Sequence, residues 1–153
     1  MRAKRGFTLV EILIVVVILG ILAAIVVPQF TQASTEAKYN SLCSNLQSIR
    51  SQIELYKVQH NDNEPNQVDF ADQMMYCTDI AGDTASTPSK ERDYANDIIY
   101  GPYLERIPDN PFNNANGVAA AAGDGVGWIY DESDGSIIAA DGGSTNGVDH
   151  DSL

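Results

Sequence analysis

A carboxylate at Glu11 lies inside the apolar run Phe7–Val27, where Thr8 is the only other polar side chain. Placing an ionised carboxylate in a bilayer costs about 2.5–3.5 kcal/mol on insertion scales, so such a group marks a function and requires a partner. The donors able to meet it are the chain's own N-terminus or a group on another subunit, which is chemistry of assembly rather than turnover. The other reactive residues form no catalytic set. His60 falls at the end of a helical pattern and His150 in a Gly-, Asp- and Asn-rich tail, neither beside a Ser or Cys in a recognisable nucleophile arrangement. The glycine-rich segments follow no strand-to-helix pattern with Lys, and no Cys/His spacing marks a metal. Cys43 and Cys77 are read either as two buried thiols or, if the C-terminal part is exported, as one disulfide. In the chain-entropy model that bridge contributes roughly 3.5–4 kcal/mol.

These residues need elements to hold them. Residues 7–27 form a helix of ~31 Å, the thickness of a bilayer's hydrocarbon layer. Arg2, Lys4 and Arg5 precede it and stay cytoplasmic by the positive-inside tendency, which exports the C-terminal domain and favours the bridged reading of the cysteines. A secretory signal would show a small-residue cleavage site after the run, yet Ala23-Ala24-Ile25 is followed by more apolar residues. Pro28 interrupts the pattern and predicts a kink, or else a stop. Beyond it Leu42, Leu46, Ile49, Ile53 and Tyr56 recur at helical spacing, so residues 28–60 read as the amphipathic half of a long helix. Uninterrupted, that helix is ~80 Å long. Asn61-Asp62-Asn63-Glu64-Pro65 ends it.

A globular domain is predicted over residues 61–140. Residues 66–80 read as a short second helix capped by Asp69, with Phe70, Met74 and Cys77 on one face. Residues 113–127, NNANGVAAAAGDGVG, read as a mobile loop. Trp128-Ile129-Tyr130 and Ser136-Ile137-Ile138-Ala139, separated by an acidic turn ending in Gly135, predict a hairpin packed on the amphipathic helix. The tail 141–153 reads as disordered.

The net charge is −12, and without residues 1–6 it falls by three to −15. From Ile107 to Leu153 there is no Lys or Arg. Such a surface repels phosphate backbones and excludes nucleic-acid binding by groove contacts.

The stretch Gly6-Phe7-Thr8-Leu9-Val10-Glu11, followed by the apolar run and Pro28, resembles the type IV pilin and type II secretion pseudopilin superfamily. A looser likeness to pseudopilin globular domains runs from Gly101-Pro102-Tyr103-Leu104 through Pro108-Asp109-Asn110-Pro111 to Gly127-Trp128-Ile129-Tyr130 and the Asp-Gly turn. The loops 82–95 and 113–125 are unmatched. The resemblance implies an α+β, type IV pilin-like fold, with a long N-terminal helix packed on a small antiparallel sheet. It implies that residues 1–6 are a leader, cut by prepilin peptidase between Gly6 and Phe7, and that the new Phe7 amine is methylated. Residues 7–27 are then both membrane anchor and filament core, and Glu11 is needed for assembly, pairing with the Phe7 amine of a neighbouring chain.

The chain lacks the paired C-terminal cysteines of adhesive pilins, which favours a structural subunit of a type II secretion pseudopilus over a pilin for adhesion, motility or DNA uptake. A signal-anchored envelope enzyme or binding protein is the reading from another class. By resemblance the partners are further copies in a helical filament, prepilin peptidase, minor pseudopilins, an inner-membrane platform protein and an assembly ATPase. The location is the inner membrane, single-pass, with a cytoplasmic N-terminus and a periplasmic domain, and a periplasmic or extracellular filament after assembly. Major pseudopilins also carry calcium on oxygen ligands in a C-terminal loop. The candidates here are Asp131, Asp134, Asp141 and Asp149, which serve equally well as solvated ends of hairpins.

Overall fold

The computed structural model describes residues 7–153. Two units are distinguished, one ending at Ala37 and one spanning Lys38–Leu153. One helix, α1 (Leu9–Gln59), contributes to both. In the first unit every large apolar side chain from Leu9 to Val27 is at least 47% exposed. This part of α1 is long and apolar enough to cross a membrane.

In the second unit α1 turns a single stripe inward. Leu42, Leu46, Ile49, Ile53 and Tyr56 are each at most 2% exposed, as their spacing requires. The helix ends where Asn61 and Asp62 adopt left-handed backbone, which lets the Asp62 N–H return to the Lys57 carbonyl at 3.0 Å. The short helix α2 (Phe70–Met75) follows. Asp69 occupies its N-cap position but makes no side-chain cap, contrary to the sequence expectation. Its own N–H is instead taken by the Asn66 side chain, at 2.8 Å.

Three strands make the main sheet, β1 (Gly117–Ala119), β2 (Val126–Asp131) and β3 (Ser136–Ala139), in that order. β2 and β3 are the expected antiparallel hairpin. Their register opposes Trp128 to Ala139 and Tyr130 to Ile137 on the buried face, and Ile129 to Ile138 on the other. β1 runs parallel to β2, so the sheet is mixed rather than purely antiparallel. The segment expected to be a mobile loop supplies this strand. With only three residues to retrace, the short link between the strands suffices as a crossover.

The tail also departs from expectation. β4 (Ser144–Thr145) and β5 (Val148–Asp149) form a second hairpin, followed by a 3-10 turn at His150–Ser152. Asn146 and Gly147, both at positive φ, make the two-residue turn that such hairpins favour. Arg50 on α1 ties both regions down, donating to the carbonyls of Ile137 at 2.7 Å and Leu153 at 2.6 Å.

The core joins the α1 stripe to Phe70, Met74, Tyr103, Ile107, Trp128, Tyr130, Ile137 and Ala139. Three of its tyrosines hold their phenols neutral. Burial, helped by Asp79 and Asp83, pushes Tyr56 up from 10.0 to about 12. Burial first, and then neighbouring groups, raise Tyr103 and Tyr130 further. An unfolded chain releases these protons near pH 10 while the folded one keeps them. Their contribution is therefore complete below about pH 10 and lost as pH rises through the folded values. A circular-dichroism titration is expected to show unfolding that sets in above about pH 10.

Candidate functional site

Glu11 stands in the first turn of α1, and the structure gives its carboxylate a local partner. Glu11 Oε2 accepts the Thr8 backbone N–H at 2.8 Å and the Thr8 hydroxyl at 2.8 Å. The Glu11 N–H donates back to Thr8 Oγ1 at 3.2 Å. This is a reciprocal capping box, Thr-x-x-Glu, and it satisfies helix-start donors that would otherwise be orphaned. Within the described residues no bond is made to Oε1, so one carboxylate oxygen is fixed and the other is open to an incoming donor. Thr8 is the residue the sequence reading passed over, although the spacing Thr8-Leu9-Val10-Glu11 carries the signature.

Phe7 is 80% exposed at the head of the run. Gly6 and the proposed leader 1–6 lie outside the described residues, and so does the peptide expected to be cut. Pro28 sits inside α1 and does not stop it. Having no N–H, it leaves the Ala24 carbonyl without its helical donor.

The expected bridge between Cys43 and Cys77 is not made, and both are free thiols. Cys43 lies roughly 25 Å down the axis of α1 from His60. Cys77 adjoins Thr78, whose hydroxyl is 2.9 Å from His60 Nε2. A bridge needs Cα atoms within about 7 Å, so helix geometry forbids it. The buried environment pushes the Cys77 thiol above its ordinary pKa.

The four candidate calcium ligands do not converge. Among the described residues, no group of three or more His, Cys, Asp or Glu side chains is placed to hold a metal. Asp131 and Asp134 are spent on the β2–β3 turn, where they accept the N–H groups of Ser133 and Ser136 at 2.9 Å each. Asp149 is on β5. Asp141 is held elsewhere, by Asn110 Nδ2 at 3.0 Å and His150 Nδ1 at 2.6 Å. Burial pushes its carboxyl up, but these hydrogen bonds and the neighbouring imidazole outweigh that and hold it below the ordinary carboxylate value. The donor set therefore does not fit an ion that takes six to eight oxygens.

His150, expected in a floppy tail, is 1% exposed. Its Nε2 is 2.8 Å from the Thr145 hydroxyl. Asp141, His150 and Thr145 thus follow the order of a carboxylate–imidazole–hydroxyl relay. The hydroxyl is on a residue only 4% exposed, so no substrate reaches it and the relay is structural.

The model of the prokaryotic N-terminal methylation motif matches residues 1–27. The type II secretion system core protein G of Dickeya chrysanthemi is 33% identical over 116 residues, covering 72% of this chain and 65% of the relative. The protein of the same name from Klebsiella pneumoniae is also 33% identical over 116 residues, covering 74% and 73%. That from Pseudomonas aeruginosa reaches 46% over 57 residues, 37% and 40% of the two chains. No solved structure matches. The chain spans slightly less than two thirds of the Dickeya relative's length and nearly three quarters of the Klebsiella one. A methylation motif at the head of a membrane-length helix, and one third identity over most of the chain, place this protein in the type II secretion system core protein G family.

Proposed function

We propose that the chain is a non-enzymatic structural subunit of a type II secretion pseudopilus, polymerising through its N-terminal helices to support protein export. The observation that carries this is the exposed apolar half of α1 with Glu11 in its first turn. A helix apolar all round is stable only in lipid or among other helices. Before assembly the helix anchors the chain in the inner membrane, with its N-terminus cytoplasmic and the Lys38–Leu153 unit periplasmic. Prepilin peptidase cuts between Gly6 and Phe7 and the amine is methylated. In the filament, Glu11 exchanges the open side of its carboxylate for the Phe7 amine of the next subunit. A wrong axial step would bury a carboxylate without a mate, so the pairing sets the register.

An assembly ATPase and platform protein supply the work, and minor pseudopilins complete the filament. The curated relatives are named for type II secretion, which favours this reading over an adhesive or motility pilin. Mass spectrometry of the membrane form tests it: a mature N-terminus at methylated Phe7 is expected, and an unprocessed Met1 would speak for a simple signal anchor.

The capping box makes a further prediction. Thr8→Val keeps the shape of the side chain and removes its hydroxyl, at a cost of about 1 kcal/mol to the helix start. Glu11 then loses a donor and its fixed orientation. Insertion is expected to be unchanged, while the amount of assembled filament recovered by shearing falls.

A further inference from the structure

The last thirteen residues carry few apolar side chains, yet they are folded down on the domain. The Asp141 carboxylate is the centre of what holds them. Its Oδ1 accepts Asn110 Nδ2 at 3.0 Å, and its Oδ2 accepts His150 Nδ1 at 2.6 Å and the Gly143 N–H at 3.3 Å. Asn110 reaches on to the Gly127 carbonyl on β2 at 3.1 Å and accepts the Phe112 N–H at 2.9 Å. The far side of the imidazole meets Thr145 at 2.8 Å. Phe112 and Tyr39 flank the ring, with centroids 4.2 and 5.9 Å away. Asn110, Thr145 and His150 are all buried. One network thereby joins α1, the proline-rich segment, β2 and the C-terminal hairpin.

The groups around Asp141 are N–H donors, whereas a hard divalent cation requires converging oxygens. Asp131 and Asp134 are committed to the β2–β3 turn, and among the described residues no three acidic, His or Cys side chains converge to hold a metal. Gly143 packs its backbone against this pair, since a Cβ there would lie 2.6 Å from Asp141 Oδ2 and 3.0 Å from His150 Nδ1. We propose that this chain closes its C-terminal segment with the Asp141–His150–Thr145 relay in place of a calcium site, so that its folding needs no divalent cation. The inference concerns the folded domain alone and stands whether or not the filament reading holds.

The test is thermal melting of the full chain in detergent, followed by the near-ultraviolet signal of Trp128, with millimolar calcium and with a chelator in its place. Wild type is expected to melt at the same temperature in both. Thr145→Val, which keeps the shape and removes the relay's hydroxyl, is expected to melt roughly 2–8 °C lower in both media. Thr145→Ser keeps the hydroxyl and should retain most of the wild-type midpoint. A wild-type midpoint that drops on chelation would overturn the proposal even if no variant folded. So would a Thr145→Val chain that melts like wild type.

Discussion

Glu11→Ala is expected to leave the protein in the membrane and to abolish filament assembly. Insertion should become easier, because the substitution removes a carboxylate that costs about 2.5–3.5 kcal/mol in the bilayer. The loss appears only when helices pack together. In the assembled state the Phe7 amine of each subunit would then lie among apolar helices with no carboxylate to meet it. Removing one member of a buried pair typically costs about 3–5 kcal/mol, because the charge left behind has no partner. At about 1.4 kcal/mol per factor of ten, each subunit contact weakens by a factor of hundreds or more. The penalty recurs at every step of the filament, so growth should stop instead of slowing. Fractionation is expected to show wild-type levels of membrane-bound, processed chain and none in the sheared filament fraction.

Trp128→Ala is expected to fail in the opposite way, with the anchor intact and the Lys38–Leu153 unit unfolded. Trp128 is fully buried in β2, opposite Ala139 on β3 and beside Val118 on β1, so it links every strand of the main sheet from its buried face. Its indole N–H donates to the Pro108 carbonyl at 2.8 Å, fixing the proline-rich segment over the core. Truncating a buried aromatic ring to Ala costs about 3–5 kcal/mol through lost transfer energy and the cavity left behind. A domain of this size has about 5–15 kcal/mol to lose, and the orphaned carbonyl adds to the cost. Trp128→Phe separates the two contributions, since it fills most of the cavity and loses only the hydrogen bond. Near-ultraviolet circular dichroism and limited proteolysis should show a molten or cleaved domain for Trp128→Ala, and a folded, less stable one for Trp128→Phe. The two alanine substitutions therefore separate assembly from folding.

What was legible in the sequence follows from how local each determinant is. The stripe Leu42–Tyr56 is written in a single helical period, and the pair of strands around Gly135 in a period of two, so both were readable. Glu11 was readable because a carboxylate is conspicuous in an apolar run. Its partner Thr8 carries an equally local signature but was hidden by the membrane reading of the same residues. β1 could not be read, because a stretch of Asn, Gly and Ala has no pattern of its own. It becomes a strand only through pairing with β2 and the Asn113 side chain's bond to the Val126 carbonyl, at 2.9 Å.

The tail misled for the same reason. Its composition suggests disorder, while its order comes from Arg50 far back on α1 and from Asn110, neither of which composition reveals. The cysteines failed on distance along a rigid rod. Loop length permits the bridge, but α1 holds Cys43 away from the end where Cys77 packs.

The central claim is that Glu11 of one subunit meets the Phe7 amine of another. A hydrophobic carbodiimide, which condenses a carboxylate with an amine in contact with it, reads this directly when applied to assembled filaments and followed by peptide mass spectrometry. The account predicts an amide between Glu11 and the Phe7 nitrogen of a different chain, absent from the unassembled membrane form. Filaments in which Glu11 is modified as a free carboxyl, with the Phe7 amine left unlinked, would contradict it.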